Sequence, residues 1–301
     1  MHIIRQAYPL IHRKTPGIPK DMAGNINGPA LLAVPDWIKK PLGRYYLYFS
    51  HHHGRCILMA YADEINGPYI MYGKGVLNNN LSWLTGRHVA SPEIFADHEK
   101  KIIRLYFHAD IKGTGYYTGH NQMTYLAFSE NGLDFINTEN RQIAPCYLRI
   151  FRFKKSIFGI ARNTGKGGLL LKSKDGIESF EYGPQIIPDM RHCAVLQKEH
   201  GLYVFYTRIM DCPERILCSR IKLGSDWQQW KTEEAMEIMA PETEWEGVRL
   251  ALKPSKPGAT GPTRALRDPF VFEDGKKLFL FYTVKGEAGI AAAEICDFPG
   301  V

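Results

Sequence analysis

A chain of 301 residues, 45% of them hydrophobic, is long enough to bury a substantial core in one large domain or two ordinary ones. The net charge of +7 favours anionic partners, but Lys and Arg form no basic tract, which argues against nucleic-acid binding. No apolar stretch has the length of a transmembrane helix or a signal-peptide core, and the six cysteines form no CxxC pair. We therefore expect a cytoplasmic protein with reduced thiols and no membrane contact.

Runs of aromatic and β-branched residues recur five times and predict hairpins that continue into a third and usually a fourth strand. The predicted units cover residues 27–77, 88–144, 146–188, 190–240 and 266–296. Four-stranded sheets repeated around an axis form a β-propeller. The fifth unit runs out after three strands, and a strand at residues 3–11 can supply the missing one. The sequence therefore predicts an all-β, single-domain, five-bladed β-propeller whose ring is closed by the N-terminal strand. The alternatives are a β-sandwich or two smaller β domains.

Two of these units are copies of each other. Residues 191–207 align without a gap with residues 267–283, and His192 falls opposite Asp268. A unit that recurs along one chain indicates a repeat architecture. The two units are therefore expected to place equivalent residues at equivalent positions of neighbouring blades.

Polar residues at certain strand ends are expected to meet around one funnel, because the first strands of a propeller begin at the face where the second strands end. The residues predicted to bind substrate there are Arg267, Arg191, His192, His88, Arg208, His51, His52, His108, Trp245 and Glu287. The guanidinium groups would hold hydroxyls or an anionic substituent, and Trp245 would stack on a sugar ring. The alternative for Arg267-Asp268-Pro269 is a salt-bridged strand entry, and for His88 and His192 a packed, hydrogen-bonded position.

The run His51-His52-His53 consists of a residue type that binds metals. Neighbouring side chains on a strand point to opposite faces, so three consecutive histidines cannot easily share one ion. The sequence therefore predicts neither a metal site nor a cofactor. It leaves open a structural cation in the central channel of the propeller.

Carboxylates from different units are also expected at the funnel, and the four predicted to be catalytic are Asp268, Glu93, Glu246 and Glu214. Glycoside hydrolysis requires two carboxyl groups, one protonated and one ionised. The cation of Arg267 should keep Asp268 ionised as a base or charge stabiliser, whereas apolar neighbours should raise the pKa of Glu93 and suit it to be the acid. Glu246, beside the indole of Trp245, is a second candidate for the acid. For the three glutamates the alternative is a solvated loop or an ion pair.

Short motifs at residues 90–95, 129–135 and 267–269 resemble the five-bladed propeller glycosidases of glycoside hydrolase families 43, 32, 117 and 130. Residues 245–291 resemble uncharacterised bacterial proteins of the family-43 type. The resemblance implies a propeller that acts on a carbohydrate, with inversion at the anomeric carbon. Family-43 enzymes typically carry their base as an Asp before Pro on the first blade, where this chain has Asn27-Gly28-Pro29. Either the base has moved, with Asp268 on the fifth blade as the candidate, or this chain does not use the family mechanism.

Together these features predict a glycoside hydrolase-like enzyme of carbohydrate metabolism that acts on a glycan or glycoside through carboxylates of the funnel. The positive charge and the arginines suggest an acidic or sulfated sugar. Two alternatives stay open: a non-catalytic carbohydrate-binding propeller, and a glycoside phosphorylase in which phosphate replaces water as the nucleophile. A protein-interaction scaffold of the WD-repeat type is disfavoured, because the chain lacks the Gly-His and Trp-Asp signatures of that repeat.

Overall fold

Five antiparallel β-sheets form the fold in this computed structural model, which describes residues 1–22, 24–52, 54–81, 88–110, 122–137, 140–163, 166–199, 201–258 and 261–299. The chain begins with two short strands, β1 (His2–Arg5) and β2 (Ile11–His12). Blade 1 contains β3 (Asn27–Ala33), β4 (Tyr45–Ser50), β5 (Cys56–Ala62) and β6 (Ile70–Asn78). Blade 2 contains β7 (Val89–Asp97), β8 (Ile102–Asp110), β9 (Gln122–Ser129) and β10 (Ala144–Pro145).

The remaining three blades follow in chain order. Blade 3 contains β11 (Arg149–Phe153), β12 (Ser156–Asn163), β13 (Gly167–Ser173) and β14 (Glu181–Gln185). Blade 4 contains β15 (Met190–Lys198), β16 (Gly201–Arg208), β17 (Ile216–Ile221) and β18 (Met236–Met239). Blade 5 contains β19 (Arg267–Asp274), β20 (Lys277–Thr283) and β21 (Gly289–Cys296), and β1 completes it. The predicted all-β, five-bladed propeller is therefore confirmed.

Helical structure within the described ranges is limited to a 3₁₀ turn at Trp227–Gln229. Its N-cap is Asp226, whose side chain accepts the N–H of Gln228. None of the described segments forms a helix with the length and apolarity needed to cross a membrane.

The N-terminal strand closes the ring by pairing with the last strand of the chain. β1 runs antiparallel to β21, with Ile3 opposite Ile295. The predicted strand at residues 3–11 is interrupted, and pairing resumes only at β2, where Ile11 lies opposite Ile290. Pro9 lies in the gap, and it has no N–H to donate to a ladder. Because both ends of the chain share one sheet, loss of β1 would open the ring.

Apolar side chains fill the spaces between neighbouring blades. Among the described residues, five clusters of buried side chains occur, and each joins two adjacent sheets. Phe205 and Tyr282 are fully buried between blades 4 and 5, and Tyr48 and Phe107 are fully buried between blades 1 and 2. Each sheet is thus covered on both faces, which explains why the second strands read as continuous apolar runs.

A β-bulge at the start of the first strand brings one residue of each blade close to the axis. The pairing register shifts between Asn27 and Ala30, Ala90 and Glu93, Met190 and Cys193, and Arg267 and Phe270. In blade 3, the register of β11 and β12 would place Arg162 opposite Tyr147. The Arg162 N–H instead donates to the carbonyl of Cys146, so the register is shifted by one residue here too. The equivalent residues that follow are Gly28, Ser91, Tyr147, His192 and Asp268.

Candidate functional site

These five equivalent residues line one small cavity at the axis, which we call the axial cavity, together with Leu148, Arg149 and Cys193. Three of them are not glycine and yet have left-handed backbone, with φ of 49° at Ser91, 57° at Tyr147 and 47° at Asp268. Such a conformation costs about 1 kcal/mol or more, so the surrounding contacts must hold it. Strained residues of this kind cluster at functional sites. The axial cavity is therefore the candidate site.

Asp268 is the one carboxylate among the described residues that line the axial cavity. Its side chain is buried, its Oδ1 contacts Nδ1 of His192, and its Oδ2 lies 3.2 Å from Oγ1 of Thr283. The Thr283 hydroxyl is itself fixed by donating to the Gly286 carbonyl at 2.7 Å. His192 and Asp268, which occupy equivalent positions in the repeat alignment, are thus in direct contact. A carboxylate paired with an imidazole can take up and release a proton next to the cavity.

An arc of aromatic rings runs from His192 around the funnel. The centre of the Tyr147 ring lies 4.4 Å from that of His192 and 4.7 Å from that of His108. Nε2 of His108 lies 3.0 Å from Nε2 of His88, whose ring centre lies 6.3 Å from that of His52. Burial lowers the pKa of His108 well below its ordinary value, and the charges of neighbouring histidines act in the same direction. His108 is therefore neutral near pH 7 and acts as a hydrogen-bonding group.

The other members of the predicted histidine run lie at the edge of this arc. His51 is half-buried directly after β4, where its carbonyl accepts the Gly54 N–H at 2.7 Å. His53 lies outside the described residues. In the described part of the chain, no group of three His, Cys, Asp or Glu residues is arranged to hold a metal ion.

Glu287 lies at the far end of the arc. Its Oε2 accepts hydrogen bonds from Nδ2 of Asn25 at 2.6 Å and Nδ2 of Asn27 at 3.1 Å, and it lies 3.4 Å from Nδ1 of His52. Its Oε1 accepts from Nη1 of Arg267 at 3.2 Å. Burial alone would raise the pKa of Glu287, but contact with His52, Arg267 and Asn25 lowers it below its ordinary value. Glu287 is therefore ionised at neutral pH.

The guanidinium groups of Arg191 and Arg267 are buried and bind the same carboxylate. Nε of Arg191 donates to Oε1 of Glu214 at 2.6 Å, and Nε of Arg267 donates to Oε2 at 2.7 Å. Nη2 of each arginine donates to Oγ of Ser255, at 2.9 and 3.0 Å. These contacts hold the segment between β18 and β19 in place. The substrate-binding role of the two arginines and the catalytic role of Glu214 stay predictions, and these contacts do not favour them.

Glu93 lies two residues beyond the axial cavity along β7, where it forms a buried ion pair with Arg149. Nη1 of Arg149 donates to Oε2 of Glu93 at 2.7 Å, and the Ile150 N–H donates to Oε1 at 3.2 Å. Burial raises the pKa of Glu93, as expected from its apolar neighbours, although the charge of Arg149 opposes this. Both oxygens are nevertheless bound by protein groups. Glu93 as the catalytic acid stays a prediction.

Arg149 occupies the axis at this level, because it contacts every blade. It donates to the carbonyls of Pro29, Pro92 and Cys193 at 3.4, 2.8 and 3.0 Å, and its guanidinium lies 5.5 Å from the centre of the Phe270 ring. The presence of a structural cation in the central channel, which the sequence leaves open, is not tested by these contacts. The guanidinium charge disfavours one beside it.

Glu246 and Trp245 lie on the segment after β18, close to the ring closure. Oε1 of Glu246 accepts hydrogen bonds from Nε of Arg5 at 3.0 Å and from the Tyr282 hydroxyl at 2.8 Å. Its Oε2 accepts from two backbone N–H groups, at 2.8 and 3.0 Å. Trp245 packs against the apolar cluster between blades 4 and 5. Their roles as acid and sugar platform stay predictions, since both side chains have structural contacts.

Arg208 ends β16, where its Nη2 donates to the Tyr206 hydroxyl at 3.2 Å. Two residues of the site, Tyr147 and Thr283, were not among those predicted from the sequence. The repeat alignment contains a signal for Tyr147 if it is extended to blade 3. Tyr147 precedes Arg149 by two residues, as Asp268 precedes Phe270.

No protein-family model matches the chain. In sequence it is 36% identical over 305 residues to the uncharacterised protein R118 of Acanthamoeba polyphaga mimivirus, a match that covers 90% of this chain and 83% of the viral protein.

Many solved structures are similar to this chain, and three of them illustrate the similarity, which extends over nearly the whole chain. A putative glycoside hydrolase from Bacteroides ovatus has a TM-score of 0.67 at 13% identity and covers 100% of this chain and 98% of its own. The GH43_1 enzyme from Xanthomonas citri complexed with xylose has a TM-score of 0.65 at 12% identity, with 99% and 92% covered. An alpha-L-arabinofuranosidase from Lactobacillus brevis has a TM-score of 0.63 at 13% identity, with 95% and 92% covered. At these identities the similarity shows the fold alone, that of family-43 glycoside hydrolases.

Proposed function

We propose that this chain, which belongs to the same family as the uncharacterised protein R118 of Acanthamoeba polyphaga mimivirus, is a glycoside hydrolase-like enzyme that acts on a carbohydrate at the axial cavity. The observation that supports this proposal is the contact between Asp268 and His192 within a cavity ringed by one residue from each blade. Solved structures of the same fold include an arabinofuranosidase and an enzyme complexed with xylose, which favours a carbohydrate as the ligand.

Asp268 and His192 form the acid–base unit in this proposal. Thr283 and His192 each meet one oxygen of the Asp268 carboxylate, so its direction is defined before substrate binds. The pair takes the proton of the attacking water while the glycosidic bond breaks, the leaving oxygen takes up a proton from solvent water, and the pair releases its proton to solvent before the next cycle. Glu287, held ionised at the other end of the arc, stabilises the positive charge that develops on the sugar ring.

A non-catalytic carbohydrate-binding propeller is the second candidate, and a specific observation favours it. Glu93, Glu214 and Glu246, predicted as acids, are each bound by protein groups through both carboxylate oxygens. Gly28 stands in the motif where family-43 enzymes typically carry the base. If solvent does not protonate the leaving oxygen in place of these acids, the cavity would bind a sugar and not cleave it.

The charges around the cavity help to decide whether the sugar is acidic or sulfated and whether phosphate acts as the nucleophile. An acidic or sulfated sugar, or the phosphate of a phosphorylase, would need a cation to bind it. Arg191 and Arg267 are occupied by Glu214 and Ser255, and the one positive charge of Arg162 beside Tyr147 is outnumbered by the negative charges of Asp268 and Glu287. We therefore propose hydrolysis of an uncharged sugar as the first hypothesis, with phosphorolysis as the variant to be tested beside it.

A panel of glycans and aryl glycosides, assayed with and without phosphate, tests this proposal through reducing-sugar release and thermal shift. Wild type is compared with Asp268→Asn. The matched control is Asp274→Asn at the other end of β19, where Asp274 accepts a hydrogen bond from the Tyr45 hydroxyl at 2.8 Å. We expect release by wild type and control, and a rate about 100-fold lower for Asp268→Asn, the contribution of a positioned base.

Two other results of this assay would support different functions. Release that depends on phosphate would support the phosphorylase. Stabilisation by a sugar without release, unchanged in Asp268→Asn, would contradict the enzyme and support a binding propeller.

A further inference from the structure

We infer that Tyr147 is a further substrate-contacting residue of this site, whose hydroxyl donates a hydrogen bond to an uncharged oxygen of a sugar bound at the mouth of the axial cavity. The inference rests on the proposed function and names the chemistry of one contact within it. Four features of Tyr147 support it: its backbone position, the packing of its ring, the state of its hydroxyl and the charges around it.

The backbone position does not by itself require a tyrosine. Tyr147 has a φ of 57° at the axial position of blade 3. Gly28 and Ser91 occupy the equivalent positions of blades 1 and 2 with φ of 62° and 49°. A bulky residue with positive φ is an outlier, and small residues satisfy the same geometry at less cost. The tyrosine side chain is therefore better explained by what its ring and hydroxyl contact.

The ring of Tyr147 is fixed from three sides. The rings of His192 and His108 meet it edge-on from neighbouring blades, with centres 4.4 and 4.7 Å away. The guanidinium of Arg162, at the end of β12, lies 5.8 Å from the ring centre. A ring held in this way loses little freedom when a ligand binds, so its hydroxyl is already placed for a contact.

The hydroxyl of Tyr147 has no hydrogen-bond partner within the described residues. Tyrosines between the blades differ in this respect. The hydroxyls of Tyr48, Tyr106 and Tyr282 donate to Gly132, Gly176 and Glu246, respectively. Those three tyrosines are fully buried, whereas Tyr147 is only half-buried. Because Tyr147 also lines the axial cavity, its hydroxyl is open to a ligand there.

The surrounding charges decide which ligand group fits. Burial raises the pKa of Tyr147 above its ordinary value, and the charges of Glu287 and Asp268 act in the same direction while Arg162 opposes them. The phenol therefore stays protonated and donates. The same two carboxylates would repel an anionic substituent placed beside the hydroxyl. A sugar hydroxyl or glycosidic oxygen satisfies both conditions.

Tyr147→Phe tests the inference, because it removes the hydroxyl and keeps the ring between the two histidines. We expect kcat/KM on an uncharged glycoside to fall about 10- to 100-fold, as for one lost hydrogen bond to bound substrate. The unfolding temperature of the free protein should stay that of wild type. Tyr48→Phe is the matched control: it makes the same chemical change at a hydroxyl that donates to Gly132 at 2.8 Å. It should lower the unfolding temperature and leave kcat/KM unchanged.

The outcomes separate this inference from the proposed function. Wild-type kcat/KM in Tyr147→Phe, with Asp268→Asn inactive, would overturn the role of Tyr147 and leave the proposed function standing. Absence of both turnover and sugar-dependent stabilisation in wild type would overturn both. A Tyr147→Phe chain that did not fold would also overturn the inference, since the hydroxyl would then have a structural partner. Faster turnover of uronic-acid glycosides than of neutral ones would exclude the uncharged contact.

Discussion

Asp268 shows how one residue can be fixed at the axis by its local backbone and by two neighbours. Its φ of 47° lies in the left-handed region, which aspartate tolerates better than most residues. His192 and Thr283 then contact its two oxygens, each from a different strand. Its direction therefore depends on the contact between blades 4 and 5, and a change at that interface should alter activity as well as stability.

Glu287 should make the protein sensitive to acid. Its pKa in the folded protein lies below the ordinary value of 4.5, so the ionised carboxylate stabilises the fold above about pH 4.5, and this contribution is lost as the pH falls further. As the pH falls from about 5.5 to 3, we expect the free energy of unfolding to decrease less for Glu287→Gln than for wild type. Urea denaturation at each pH measures this difference. Glu294→Gln, which removes a surface contact to Lys277, is the control and should follow wild type. Equal pH slopes for Glu287→Gln and wild type would contradict the assignment.

The segment between β18 and β19 shows how a connecting element can decide the role of residues in two blades. Ser255 of this segment, together with Glu214 from the connection between β16 and β17, binds the guanidinium groups of Arg191 and Arg267, which would otherwise be free to meet a ligand. The same segment carries Glu246 into contact with Arg5 of β1. One connection thus stabilises both the funnel face and the ring closure.

Arg5 should contribute to the closure of the ring through the fully buried carboxylate of Glu246. Arg5→Met removes its hydrogen bonds to Glu246 and to the Ala240 carbonyl, both at 3.0 Å, and leaves a buried charge with fewer partners. We expect a loss of about 2 kcal/mol in the free energy of unfolding, measured by urea denaturation. Glu242→Gln is the control, because it removes only the exposed partner of Arg5 and should change stability by less than about 0.5 kcal/mol. Similar losses for both variants would show that Glu246 does not depend on Arg5.

Arg149 connects the molecule as a whole, since it contacts residues of all five blades. Arg149→Met leaves Glu93 buried without its cation and removes hydrogen bonds from three carbonyl groups. Breaking a buried ion pair in this way costs about 3 to 5 kcal/mol of unfolding free energy. Adding Glu93→Leu should restore part of the loss, because no buried charge is then left alone. Additive losses in a double-mutant cycle would contradict this coupling.

The whole fold can be predicted from the sequence because each blade carries its own strand and turn residues, so the repeat is visible without any tertiary information. The contact between Asp268 and His192 follows from the gapless alignment of their units. The contacts of Arg191 and Arg267 do not, because Ser255 and Glu214 lie outside the strands and no periodic pattern links them to the arginines. The position of Tyr147 depends on a bulge, and the sequence marks that bulge only through the two-residue spacing between Tyr147 and Arg149, which matches that between Asp268 and Phe270.

A crystal structure of Asp268→Asn with a sugar identified in the panel tests the central claim most directly. We predict that the sugar lies at the mouth of the axial cavity, with one oxygen within hydrogen-bond distance of the Tyr147 hydroxyl and another near residue 268. The larger groove at the opposite ends of the strands, lined by Phe153, Lys198, Arg220 and Glu273 among others, offers the contrasting location. A sugar bound in that groove, with the axial cavity empty, would contradict the account.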